Sequence, residues 1–257
     1  MSGRLEGRVA AVLGGASGMG LAISRRFAAE GAFVYIADLN AAAADDAAAE
    51  VRDTGGDAIG VAVDAVSTAS IAELYGRIEA EHGVLHVLHS QVGMPGAGGL
   101  EVSEEEFDRS IDVNVRSAFF ASTLALPLLR RAGGKGSITL LASTAALVGS
   151  PLSPLYSLTK GAVVSYTRSL ALATATDGIR VNVLCPGPVD TPMLPQFFGR
   201  DPGADVQDLM SGFVSVIPMQ RPATPEEIAG AAAFLASDDA GFITGIALPI
   251  DGGQTAK

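Results

Sequence analysis

The chain has 257 residues, 48% of them hydrophobic, a formal net charge of −11 and a single cysteine, Cys185. That is enough apolar material for one large α/β domain and too much for a disordered chain. An acidic surface repels nucleic acid and anionic membranes, one cysteine allows no internal disulfide, and no apolar signal region opens the sequence. We therefore expect neither of those partners, and a cytoplasmic setting.

Val9 to Leu13 reads as a short buried strand. Gly14, Gly18 and Gly20 follow in a Gly-x3-Gly-x-Gly turn, with Ser17 and Met19 inside it, and Leu21, Ile23 and Phe27 carry the pattern into a helix. A strand, a glycine turn and a helix N-terminus together form an anion site, because unpaired N–H groups point outward and a pyrophosphate can approach the backbone closely. Asp38 closes the next apolar run, 32–37, and lies 18 residues after Gly20. A carboxylate there can take both hydroxyls of an adenosine ribose.

Residues 41–51 are alanine-rich and helix-prone, and Gly55 and Gly56 stop them. Residues 58–63 read as a third strand, ending at Asp64 and Ala65. Ser70 and Glu73 have capping-box spacing, and Ile71, Leu74, Tyr75 and Ile78 form a helical stripe. A fourth strand is expected over 84–89, then a glycine-rich loop from Gly93 to Gly99. A capping box at Ser103 and Glu106 opens a helical region to Arg131 that contains Asn114.

Strand five is expected over 137–142, a helix over 154–176 and strand six over 180–184. Residues 136–159 carry no charged group but do contain prolines, glycines and hydroxyls, which suits a dry, polar-lined cleft rather than a membrane span. The pattern breaks from Pro186 to about Ala223. Thr224, Pro225 and Glu227 then mark a helix start, and a last strand precedes Asp251.

Seven strands alternating with helical stretches imply an α/β fold: a single domain over 1–257, a Rossmann-type doubly wound seven-stranded parallel sheet with helices on both faces. Ligands of such sheets bind beyond the carboxyl ends of the strands, where Asp38, Asp64, Ser90, Ser143 and Thr191 fall. His82, His86 and His89 do not form a ligand set, since His86 and His89 face opposite sides of a strand, and we expect no metal.

Tyr156 and Lys160 stand at i and i+4 on one helix face, with Ser143 13 residues earlier. A free phenol has a pKa of ~10 and is a poor base at neutral pH, and a nearby ammonium favours its phenolate. The set resembles the classical short-chain dehydrogenase/reductase family over essentially the whole chain. The resemblance rests on Gly14, Gly18 and Gly20, on Asp64, on Asn114, Ser143, Tyr156 and Lys160 in order and spacing, on residues 186–191, and on Asp251, Gly252 and Gly253.

The resemblance implies that Tyr156 is the acid or base, that Lys160 lowers its pKa and holds the nicotinamide ribose, that Ser143 bonds the substrate oxygen, and that Asn114 holds a relay water. It implies cofactor contacts at Gly14, Ser17, Gly18, Met19, Gly20, Asp38, Leu39, Asp64, Ala65, Ser90, Gln91, Val92, Tyr156, Lys160, Pro186, Gly187, Val189 and Thr191. It suggests a homotetramer, with residues 118–129 and 162–175 supplying broad apolar helix surfaces. Asp38 would repel a 2′-phosphate, and no Arg or Lys flanks it, so NAD is the expected cofactor.

Two positions depart from the family pattern. Leu13 stands where Thr is usual, and Ser90-Gln91-Val92-Gly93 replaces Asn-Asn-Ala-Gly. We expect an apolar Leu13–Val92 contact in place of the family's hydrogen-bonded brace.

A substrate lid is expected over about 186–222, with Met193, Leu194, Phe197, Phe198, Met210 and Phe213 as wall candidates. Ser143, Ala145, Gly149, Tyr156 and Met193 should meet an alcohol or ketone with an uncharged, partly apolar body. Arg200 is the only cation between Arg180 and Arg221. The alternatives are a reductase of 3-oxoacyl thioesters on an acyl carrier protein, docking at Arg130, Arg131 and Lys135, and a catalytically idle dinucleotide sensor or scaffold.

Overall fold

The computed structural model describes residues 3–198 and 205–256; Arg200 lies outside the described residues. Seven strands form one parallel sheet in the order β3-β2-β1-β4-β5-β6-β7. They are β1 (Val9–Leu13), β2 (Phe33–Asp38), β3 (Asp57–Ala62), β4 (Val87–Ser90), β5 (Gly136–Leu141), β6 (Ile179–Pro186) and β7 (Ala247–Ile250). Every residue of β1, β4 and β5 is buried, as a parallel sheet covered on both faces requires.

The helices are α1 (Gly18–Ala29), α2 (Ala41–Asp53), α3 (Thr68–His82), α4 (Glu104–Ile111), α5 (Ser117–Arg130), α6 (Pro154–Thr174), α7 (Val206–Ser215) and α8 (Pro225–Ala236). One apolar layer joins Leu13, Tyr35, Leu74, Leu128 and Val163 beneath α3, α5 and α6. The other joins Val12, Phe27, Ile36, Val51 and Ile228 beneath α1, α2 and α8. No helix among the described residues is long and apolar enough to cross a membrane.

Several boundaries differ from the sequence reading. The cap of α3 is Ser67, whose side chain accepts from the Ser70 N–H; the Ser70 hydroxyl instead accepts from the Asp64 N–H at 3.0 Å. Strand β4 starts at Val87, although the His86 N–H already donates to the Val9 carbonyl at 2.9 Å; the Leu85 N–H goes to the Leu128 carbonyl. The helical region expected from Ser103 to Arg131 is one run, but residues Asp112–Arg116 form a wide π turn between α4 and α5. The segment after Pro186 is not wholly irregular: it holds a 3-10 turn, Leu194–Phe197, and α7. The capping boxes at Ser103 and Thr224 close as their spacing predicts.

The strand order reverses at β1, which lies between β2 and β4. A crevice therefore opens above the carboxyl ends of β1 and β4, and the glycine turn begins there.

Candidate active site

The glycine turn is pinned to the sheet by its own backbone. The Gly14 and Gly15 N–H groups donate to the Ala37 carbonyl at 2.8 and 3.1 Å, and the Ala16 N–H donates to Asp38 Oδ2 at 3.2 Å. Gly14 and Gly18 have φ of +75° and +49°, which L side chains rarely adopt. A Cβ at Gly18 would lie 3.3 Å from Thr191 Cγ2, so the segment after β6 closes over the turn.

A cleft of about 270 Å³ starts at this turn. Of the residues expected to meet a dinucleotide, Gly14, Ser17, Asp38, Leu39, Asp64, Ala65, Gln91 and Val92 line it. Leu13, Ala37, Val63, Val66, Gly93 and Val113 complete its wall, and Met193, expected against substrate, also lies there. No Lys or Arg is among the described lining residues. Asp38 is half-buried; its Oδ1 accepts from the Asn40 N–H at 3.1 Å, so the carboxylate is held in place at the end of β2. Asp64 Oδ1 accepts from the Val66 N–H at 2.9 Å. These residues fit the adenosine half of a dinucleotide: a carboxylate for the ribose, small apolar walls for the base and a backbone turn for the diphosphate.

At the far end of the cleft Gly93 meets the catalytic candidates. A Cβ there would lie 3.0 Å from Lys160 Nζ and 3.1 Å from Asn114 Oδ1, so these two polar groups converge on one point. The π turn directs Asn114 inward, a geometry often found at functional sites. Its Oδ1 accepts from the Met94 N–H at 2.8 Å, and its Nδ2 donates to the Met94 carbonyl at 3.1 Å and to Thr159 Oγ1 at 3.2 Å. Thr159 is a partner that spacing alone did not reveal.

Lys160 is only 2% exposed. Its Nζ donates to the Leu141 carbonyl at 3.0 Å and stands 5.7 Å from the centre of the Tyr156 ring, one helical turn back on α6. Burial pushes its ammonium down to about 8, against a smaller raising influence of Cys185. Burial likewise pushes the Cys185 thiol up to about 11, although the Ser143 N–H and Lys160 act to lower it, so Cys185 is a buried, protonated core thiol.

Ser143 follows β5 and starts a short 3-10 turn, and its Oγ accepts from the Ala145 N–H at 3.2 Å. The Phe197 ring stands edge-on to Tyr156 with centroids 5.2 Å apart, while Phe198 packs on Phe213 at 5.5 Å. Ala145 is half-buried and Gly149 exposed on the opposite approach.

Residues 14–255 match the family model described as enoyl-(acyl carrier protein) reductase. The chain belongs to the short-chain dehydrogenase/reductase family. It is 39% identical to 2-(S)-hydroxypropyl-CoM dehydrogenase 3 of Xanthobacter autotrophicus, covering 100% of both chains. It is 37% identical to meso-2,3-butanediol dehydrogenase of Serratia marcescens, covering 99% of this chain and 97% of that one. Among solved structures it resembles a 3-ketoacyl-(acyl-carrier-protein) reductase from Brucella melitensis complexed with NADH, with TM-score 0.87, 36% identity and coverage of 98% and 99%. Like other short-chain dehydrogenases/reductases, the protein is an oxidoreductase.

Proposed function

We propose that the chain is an NAD-dependent dehydrogenase of secondary alcohols, or the reductase of the corresponding ketones. The observation that carries this reading is the buried Lys160 ammonium, one helical turn from Tyr156 and directly behind Gly93, a lining residue of the cleft that also holds Asp38. Asp38 would hold the adenosine ribose, the turn from Gly14 to Gly20 the diphosphate, and Pro186, Gly187, Val189 and Thr191 the carboxamide end. When bound there, the nicotinamide supplies the hydride acceptor or donor.

The chain's own residues manage the proton and the orientation. Ser143 Oγ accepts from Ala145, which leaves its O–H to donate to the substrate oxygen. Tyr156 takes the hydroxyl proton in oxidation and returns it in reduction. The Lys160 cation favours the phenolate, and the low polarity around it strengthens that influence. Asn114, locked by Met94 and Thr159, sits where a water beside Lys160 would be held.

Phe197 against Tyr156, and the uncharged stretch 136–159, favour a substrate with an uncharged, partly apolar body. The same reading places the protein in the cytoplasm as a homotetramer, associating through the apolar faces of α5 and α6, where Phe119 is 44% and Leu172 83% exposed.

The acyl-carrier thioester reading has the Brucella neighbour in its favour. Its docking cluster is weak, because Arg130 pairs with Asp177 at 2.8 Å and Arg131 with Glu79 at 2.7 Å. A panel of secondary alcohols, offered with NAD+ and NADP+ in parallel, tests the proposal. Turnover should occur with NAD+, and NADPH should bind at least about ten-fold more weakly than NADH, because Asp38 opposes the 2′-phosphate. Equal use of NADP+ would remove the cofactor assignment, and turnover confined to carrier-linked thioesters would favour the alternative.

A further inference from the structure

The turn after β4 departs from the family pattern, and the structure gives one of those departures a task. Gln91 grips the end of β1 and the glycine turn: its backbone N–H donates to the Leu13 carbonyl at 3.2 Å, and its side-chain Nε2 donates to the Gly14 carbonyl at 3.1 Å. The Gly14–Gly15 peptide is thereby held at both edges, since the Gly15 N–H on the other edge donates to the Ala37 carbonyl at 3.1 Å. Gly20 leaves room for this grip: a Cβ there would stand 2.0 Å from the Gly14 oxygen and 2.4 Å from Gln91 Nε2.

The hold on Gly14 comes from Nε2 alone. His89, two residues earlier on the same sheet face, is fully buried, and neither of its ring nitrogens nor Gln91 Oε1 has a hydrogen-bond partner. No hydrogen bond closes between the two side chains, yet they stand near enough for the amide to raise the imidazole's proton affinity, against the larger fall to about 4 that burial imposes.

We infer that Gln91 is a positioning residue of this protein: its side-chain amide fixes the Gly14 carbonyl, and so pre-sets the backbone N–H groups of the glycine turn for a dinucleotide diphosphate. Leu13 and Val92 belong to one apolar layer, and the hydrogen-bonded brace has moved to Gln91 rather than vanished. This inference rests on the dinucleotide reading of the cleft. A pre-set turn raises affinity by lowering the ordering cost of binding, without altering chemistry at Tyr156.

The test is NADH titration by fluorescence on the full-length wild type and on Gln91→Leu, with melting of both in the absence of cofactor. Loss of one hydrogen bond of this kind predicts NADH binding weakened about ten-fold. KM for NAD+ should rise by a similar factor, more than kcat falls, and the cofactor-free melting temperature should drop by no more than a few degrees, since one hydrogen bond is lost from the free fold as well. Unchanged NADH affinity in the variant, or a fall in saturated kcat as large as the fall in affinity, overturns the inference. If Gln91→Leu does not fold, Gln91→Asn serves, since its amide stops about 1.5 Å short of Gly14. A wild type that binds neither NADH nor NADPH overturns the functional reading itself, whereas a wild type and variant that bind NADH equally overturn only the assignment of Gln91.

Discussion

Lys160 shows the conflict between stability and chemistry at a single residue. Its ammonium is buried beside the Leu141 carbonyl and the Cys185 thiol, and no carboxylate among the described residues pairs with it. Its pKa falls from the usual 10.5 to about 8 by burial, a cost on the order of 3 kcal/mol to the folded state at neutral pH. Between pH 8 and 10.5 the unfolded chain carries more protons at this site than the folded one, so stability rises with pH across that window. Lys160→Met should therefore be about 2 kcal/mol more stable than wild type at pH 7, after allowing for the lost bond to Leu141. The advantage should shrink toward pH 10.5, and turnover should be lost throughout. Denaturation curves at several pH values check this; a variant less stable than wild type at pH 7 would show that the ammonium is not a burden. Asp38 is a simpler case, a carboxylate readable from its place at the end of a strand and found there on the cleft wall.

At the scale of elements, local rules and packing divide the work. Helix α8 is started by Thr224, Pro225 and Glu227, with the Thr224 side chain accepting from the Glu227 N–H and the Glu227 carboxylate accepting from the Thr224 N–H. Arg221 first, then that N–H, hold the Glu227 carboxyl down to about 2. Thr224→Ala should cost about 1 kcal/mol in chemical denaturation and leave NADH affinity unchanged, because α8 supports α1 from outside the cleft. A loss of cofactor affinity would mean instead that the cap reaches the glycine turn.

The strands and this cap were legible because they rest on short-range patterns: a run of apolar residues, or a hydroxyl three before a glutamate. Ser70 misled because Ser67, also a hydroxyl, stood one turn earlier and took the cap. The π turn at Asn114 was not legible, since the partners that hold Asn114, Met94 and Thr159, are 20 and 45 residues away. Gln91 likewise meets Gly14 across 77 residues of sequence, so its spacing carried no sign of the contact.

At the scale of the molecule, the fold makes one cleft out of distant parts. The reversal of strand order at β1 opens it, and the glycine turn and Asp38 furnish one end. Gly93 marks the other, where Lys160 and Asn114 converge and α6 presents Tyr156 beside Phe197. The family resemblance indicated which of these residues belong together, and the topology gives the physical reason that they meet. If α5 and α6 also join subunits, light scattering should find a tetramer, and Phe119→Glu should break it by placing a carboxylate in an apolar contact.

The central claim is that hydride transfer in this cleft depends on a proton moved by Tyr156. It is tested most directly by following the reduced-nicotinamide absorbance band with NAD+ and a secondary alcohol, for wild type and Tyr156→Phe side by side, with NADH affinity measured on both. The account predicts turnover in the wild type, a loss of at least about a hundred-fold in the variant, and NADH affinity weakened by no more than about ten-fold, since Phe removes only one hydroxyl contact of the expected dinucleotide site. A variant that turns over alcohol at the wild-type rate, with cofactor affinity intact, would contradict it.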